Sequence, residues 1–397
     1  MGTMQADIEK SKLRIAAFGI RTLPPARGAA GGDTVANELY TRLAARGHDV
    51  TVYCRAYKAD GLPRYAESQG VRLVHIKTVS RSGFDTLVHS FLSTMHILRH
   101  NTGDVVHIHN GGNSIWALPL RLAGKRVYVS QDGLDWERKK WKWYARLYLR
   151  LSMYLTSCLP TIAIFDNIFT REVFEEKFHR KFLFVPYGSD FTEPTSLSSL
   201  ERHGLAPQEY FLFVGRFIPE KGIHYLVEAF EGMRTDKQLV IVGGSPNPNS
   251  EYEKKILTTT DKRIHFLGYV YGDEMLELMK GCYCYVQPSD VEGLSPVILT
   301  AMGMGTPVIC SDIRENVYAV GNTAMLFRSG DVESLRLQLE WALGHPDSLP
   351  ELGKMEQQRA RRLFSWDSVV ETYERVFTMS SAEEDVNRAG APGDSIA

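Results

Sequence analysis

The chain lacks any run of about eighteen apolar residues, the length at which a helix becomes a candidate to cross a bilayer. It also lacks net charge: 46 Lys and Arg stand against 47 Asp and Glu. No nucleic-acid partner is expected from that balance. Cysteine is sparse, with residues 54, 158, 282, 284 and 310 scattered and mostly in apolar runs. That pattern is neither a disulfide framework nor a zinc site, and it predicts free, buried thiols in a reducing cytosol. Met1 to Lys12 is polar and has no apolar signal core, so a cytoplasmic chain is expected. Neither half carries G-x-G-x-x-G after its first strand; Gly19 and the Gly28, Gly31, Gly32 set miss the spacing, which disfavours a dinucleotide dehydrogenase. No Asp-x-Asp motif is placed to bridge a metal to phosphates, so no metal and no other cofactor is expected.

What is present is enough apolar sequence, 44% of 397 residues, for two globular domains. Strand-like runs at Leu13–Phe18, Val50–Tyr53, Val71–His75, Val105–His109, Val127–Val129 and Thr161–Phe165 alternate with helical patterns. A second series follows at Phe211–Val214, Leu239–Val242, Ile264–Phe266, Cys284–Val286, Val308–Cys310 and Met325–Phe327. Strands spaced by helices predict parallel, doubly wound sheets, hence two Rossmann-like halves. Thr34–Arg46 reads as a helix capped by Asp33. Val185-Pro-Tyr-Gly-Ser-Asp190 reads as the crossover between the halves, and the Ala-, Glu-, Gly-rich tail after Met379 as disordered.

Two segments carry chemistry. In Phe213-Val-Gly-Arg-Phe-Ile-Pro-Glu-Lys-Gly222 a buried strand ends at Gly215, and Pro219 with Glu220 suits the first turn of a helix. Arg216 and Lys221 then stand at a strand's carboxyl edge beside a helix start, which favours a diphosphate. In Gln287-Pro-Ser-Asp-Val-Glu-Gly-Leu-Ser-Pro296 a strand gives way to a loop, and Pro296 opens a helix to about Met302. The N–H groups of Gly293, Leu294 and Ser295 can bind phosphate oxygens while Glu292 accepts from hydroxyls. Phosphate plus polyol points to a nucleotide sugar.

These segments resemble the donor site of retaining GT-B glycosyltransferases of family GT4, whose pattern is Arg and Lys after a strand, then Glu, seven residues, and Glu. Gly19 to Asp33, Leu43-Ala-Ala-Arg-Gly-His-Asp-Val-Thr-Val-Tyr-Cys-Arg55 and Asp132-Gly-Leu-Asp-Trp-Glu-Arg-Lys-Lys-Trp141 are similar to the rhamnosyltransferase-like branch with a DUF1972 amino-terminal domain. The resemblance spans roughly Leu13 to Phe377. It implies an α/β GT-B fold with two Rossmann-like domains facing a central cleft. Residues 12–185 would form the acceptor domain, 190–362 the donor domain, and a helix of about 363–379 would return to the first domain; 380–397 would be the tail. Gly31 and Gly32 would let backbone approach the phosphates, and Gly215 and Val270 would line the donor. His109 and Asn110 would meet acceptor or sugar. Asp132 either contacts a sugar or acceptor hydroxyl, or caps a turn with Gly133.

Position 300, where the second Glu belongs, is Thr. Threonine does not grip two ribose hydroxyls as a carboxylate does. Either the donor carries deoxyribose, as dTDP-rhamnose does, or the chain binds its donor weakly; a UDP-sugar transferase and a weakly catalytic binding subunit stay as rivals. The branch implies a lipid-linked saccharide acceptor for a surface polysaccharide. Arg138 to Leu155 interleaves cations with Trp and Tyr, which suits either an anionic membrane surface or a solvated helix face.

Overall fold

The computed structural model describes residues 12–25, 31–57, 61–78, 84–131, 133–134, 142–189, 191–245, 247 and 250–379. Asp132, residues 135–141 and the tail 380–397 lie outside these. The chain forms two units: residues 1–186 with 369–397, and residues 187–368.

Unit one is built on β1 (Arg14–Phe18), β2 (Asp49–Ala56), β3 (Tyr65–Ser68), β4 (Val71–Lys77), β5 (Val105–His109), β6 (Arg126–Gln131), β7 (Ile162–Phe165) and β8 (Leu183–Phe184). Their order is β3-β4-β2-β1-β5-β6-β7-β8. Only β3 runs antiparallel, on β4. Neither β3 nor β8 is legible in the residues, because one is polar and exposed and the other is two residues long.

Unit two holds β9 (Tyr210–Val214), β10 (Gln238–Val242), β11 (Ile264–Gly268), β12 (Cys284–Gln287), β13 (Val308–Ser311) and β14 (Met325–Phe327), all parallel, in the order β11-β10-β9-β12-β13-β14. A parallel sheet is covered on both faces, so its strands are apolar throughout. Successive side chains point to opposite faces. Phe211 and Phe213 therefore join one core with Leu239, Ile241 and Val286. Leu212 and Val240 join a second with Tyr285 and Val308.

Both sheets have a point where strand order reverses: between β1 and β5, and between β9 and β12. Connections leave in opposite directions there, so the loops after the strands part and leave a crevice at the carboxyl edge.

Three local expectations need correction. The first helix runs Gly31–Ala45. Asp33 lies inside its first turn and is not its cap; Oδ1 accepts from the Arg21 N–H at 2.9 Å. Pro219–Lys221 is a separate 3-10 turn, and the helix proper is Ile223–Glu231. Gly222, at φ +66°, separates them because the left-handed backbone breaks the helix. Cys158 is exposed; the other four cysteines are buried, and all five are free.

The last helix is Trp366–Thr378. From Val369 it packs into unit one. Glu374 takes His48 Nε2 and Arg46 Nη1, each at 2.9 Å. Tyr128 donates its hydroxyl to the Val376 carbonyl at 3.1 Å, and Phe377 packs at steep ring angles against Tyr128 and His107.

Candidate active site

The loops after β9 and β12, adjacent strands at unit two's reversal point, are tied together. Gly222 lies against the Pro288 carbonyl. Asp290 N–H donates to Glu220 O at 2.9 Å, and Tyr225 donates its hydroxyl to Asp290 Oδ2 at 3.1 Å. Ser329, beyond β14, donates to Asp290 Oδ1 at 2.9 Å, so one aspartate fastens three loops.

This fastening sets Lys221 against Glu292, Nζ to Oε1 at 2.5 Å, with both side chains largely buried. The same Oε1 accepts from Ser289 Oγ at 2.7 Å and from Gln287 Nε2. Tyr285 in turn donates to Gln287 Oε1. Burial, with the Glu292 charge adding to it, holds the Tyr285 phenol well above its ordinary pKa, so it stays a donor. Among the described residues Oε2 of Glu292 accepts nothing. The three donors converge on one oxygen and leave the other unengaged among the described residues. Lys221 and Glu292, expected to grip different parts of a ligand, neutralise each other here.

Arg216 is exposed, and its guanidinium has no hydrogen-bond or ion-pair partner among the described residues. The helix Pro296–Gly303 begins at Ser295, whose hydroxyl accepts from Ile298 N–H. The N–H groups of Gly293, Leu294 and Ser295 just before it donate to nothing among the described residues. Unmade backbone donors at a helix start are suited to an anion. The Leu294 side chain sits in the core, so only its backbone is available. Thr300 bonds its hydroxyl back to Pro296 O at 3.0 Å, within its own helix. Gly215 N–H extends the sheet by donating to Val242 O. Val270 packs its side chain against the core.

Gln287, Ser289, Tyr285 and Asp290 were not singled out from the residues. A signal existed: Tyr285, Gln287 and Ser289 alternate, so they share one face at a strand end.

In unit one the reversal point is closed by Gly19, at φ +101°, where a Cβ would meet His109 O at 2.2 Å. His109 is half-buried, and its Nε2 lies 2.6 Å from Tyr40 Oη. The same hydroxyl lies 2.8 Å from His107 Nδ1, and His107 Nε2 lies 2.8 Å from Ser130 Oγ. Burial lowers His109 to about 4 and His107 well below its ordinary value, so both are neutral near pH 7. His109 thus brings no positive charge, and Nδ1 is its one ring nitrogen without a bond among the described residues. Asn110 turns left-handed at φ +72° and accepts from Gly112 N–H. Gly31 opens the first helix, and a Cβ on Gly32 would meet nothing within 4 Å. Asp132 lies outside the described residues. No cluster of three or more His, Cys, Asp or Glu among the described residues could hold a metal ion, and no described helix is long and apolar enough to cross a membrane.

Two Rossmann-like units, each with a parallel sheet whose strand order reverses, define the GT-B class of α/β proteins. A model described as Glycosyltransferase Family 4 matches residues 29–162, and one described as Glycosyl transferases group 1 matches 208–345. One stretch falls in each unit, and together they cover more than two thirds of the chain. The chain belongs to the family 4 glycosyltransferases.

Among its relatives is the D-rhamnosyltransferase WbpZ of Pseudomonas aeruginosa, 28% identical over 54% of this chain and 58% of that one. Another is an Escherichia coli UDP-Gal:alpha-D-GlcNAc-diphosphoundecaprenol alpha-1,3-galactosyltransferase, 25% identical over 82% of this chain and 86% of that one. The chain spans about half the length of the first curated relatives it matches: 58, 46 and 48%. The Anabaena Alr3699/HepE structure, in complex with UDP, shares the fold with a TM-score of 0.73 and 14% identity, over 92% of this chain and all of that one.

Proposed function

We propose that this chain is a retaining glycosyltransferase that moves a sugar from a nucleoside diphosphate to a lipid-linked saccharide in surface polysaccharide assembly. One observation carries the reading: three unmade backbone donors stand beside the Lys221–Glu292 pair at unit two's reversal point.

The diphosphate takes the N–H groups of Gly293, Leu294 and Ser295. Arg216, without a partner among the described residues, neutralises charge on the phosphate as its bond to the sugar breaks. One preorganised donor of this kind is worth about a hundred- to a thousandfold in rate. Lys221 exchanges its carboxylate for phosphate, and Glu292 turns to sugar hydroxyls. The acceptor oxygen bonds to the anomeric carbon on the face the phosphate leaves, and the departing phosphate takes the acceptor's proton. No protein base and no metal is needed for that step. Asp132 is assigned to the acceptor or sugar hydroxyl, and full turnover in Asp132→Ala would remove it. Gly31, Gly32, His109 and Asn110 are assigned to the remaining sugar and phosphate contacts.

Thr300 favours a deoxyribose donor, dTDP-rhamnose, over one whose two ribose hydroxyls need a carboxylate. A relative named as a rhamnosyltransferase supports the sugar, and one acting on GlcNAc-diphosphoundecaprenol supports the acceptor class. A UDP-sugar is the second reading, favoured by the UDP in a fold neighbour. Titration calorimetry separates them: dTDP binds at least as tightly as UDP, and Thr300→Glu improves UDP more than dTDP. Clearly tighter UDP binding overturns the deoxyribose reading. Binding without turnover, given donor and acceptor, overturns the enzyme.

A further inference from the structure

The helix Phe84–His100 is inverted over its first three turns, before Ile97 enters the core. It buries His89, Ser90, Ser93 and Thr94 fully and exposes Leu87, Phe91, Leu92 and Met95. A helix packed on a globular core in water does the reverse. Its neighbours repeat the inversion. The helix Trp143–Cys158 buries Ser152 and Thr156, and exposes Trp143 (77%), Leu147, Leu151 and Tyr154. Between them Gly111–Leu122 sends Ala117 and Leu120 into the core, yet also buries Asn113 and Ser114 and exposes Ile115, Leu118 and Leu122, the last at 80%.

The three segments form one layer. Ser90 Oγ donates to Asn113 Oδ1 at 2.9 Å, Ser114 and Thr156 share a hydrogen bond at 2.6 Å, and Tyr148 donates to Gly112 O at 2.6 Å. Phe91 packs on Trp116 with ring centres 5.4 Å apart. Polar groups thus bond inward while a row of leucines and aromatics faces out, and neither His89 nitrogen makes a hydrogen bond among the described residues.

Charge says what covers this face. Its segments carry Arg99, Arg121, Arg146 and Arg150 but only one carboxylate, Asp85, which Arg55 already holds at 2.8 Å. A second copy across a two-fold axis would set arginine against arginine. An anionic surface with an apolar interior suits both the cations and the leucines, and Trp and Tyr favour its boundary.

We propose that this three-segment face docks unit one on an anionic lipid bilayer, with its leucines and aromatics at the acyl boundary and its arginines among the phosphates. The proposal rests on this surface alone, so it stands or falls separately from the donor reading.

The test is co-sedimentation of the full chain with phosphatidylglycerol–phosphatidylcholine vesicles. Leu147→Ser with Leu151→Ser weakens binding about tenfold or more, while Leu337→Ser on unit two leaves it unchanged. Pure phosphatidylcholine or high salt also weakens it. Phe91→Ser, on the neighbouring helix, reads the same face should the double variant not fold. Absence of vesicle binding, or binding indifferent to these leucines, overturns the proposal. So does a lipid-free dimer that the double variant dissolves, which would assign the face to a second copy.

Discussion

Gly222 and Pro288 touch backbone to backbone: a Cβ on Gly222 would lie 1.9 Å from the Pro288 carbonyl oxygen, at a φ of +66°. The contact holds the two loops of the candidate site at one spacing. Gly222→Ala therefore costs unit two at least about 2 kcal/mol, from left-handed strain and the displaced carbonyl. Chemical denaturation reads the loss, and weaker nucleotide binding accompanies it.

Glu292→Gln keeps the shape of the site and removes its carboxylate charge. Turnover falls about a hundredfold or more. Affinity for a bare nucleoside diphosphate holds or rises, because Lys221 is no longer held by a carboxylate. Calorimetry beside a transfer assay checks both halves, and a parallel loss of binding and turnover would contradict this division of roles.

Arg216→Ala removes an exposed side chain with no hydrogen-bond or ion-pair partner among the described residues. The melting temperature stays put, within about 0.5 kcal/mol of stability, while transfer drops about a hundred- to a thousandfold. Lys221→Ala behaves differently, because it strands Glu292 as a buried charge and costs stability as well.

Three histidines make unit one acid-sensitive. Burial lowers His89 to about 3 and His109 to about 4, and lowers His107 further than its ordinary range, all from 6.5. The unfolded chain binds protons at these sites that the fold refuses. Stability is therefore complete above pH 6.5 and is lost as pH falls through 6.5 toward the folded values, by about 1.4 kcal/mol per pH unit for each histidine. Denaturant midpoints between pH 8 and 5 show the slope, and imidazole NMR signals of the three stay fixed over that range in the folded chain.

The strands were legible because parallel sheets demand unbroken apolar runs, and Phe211–Val214 and Val308–Cys310 have little else. The positions of Arg216, Lys221 and Glu292 in the loops after β9 and β12 were legible from the order of strand, loop and helix-start residues. Their mutual arrangement was not. It depends on β9 pairing with β12 across some seventy intervening residues, which brings Asp290 to Glu220 O and Lys221 to Glu292. Tyr40 escaped notice for the same reason: it bonds His107 and His109 from 67 and 69 residues away. Helix starts were misjudged at Asp33 and Pro219 because a good capping residue or proline marks a turn, and the three-dimensional partner decides which turn it is.

The helix Trp366–Thr378 is translated after every strand of unit two, yet from Val369 onward it seals unit one with Glu374, Val376 and Phe377. On the ribosome, then, the amino-terminal sheet emerges first and waits, with His48 and Tyr128 lacking these partners, until nearly four hundred residues have been made. Synthesis order and completion order are inverted, and an arrested chain that stops short of this helix would present a chaperone with an open first unit beside a finished second one.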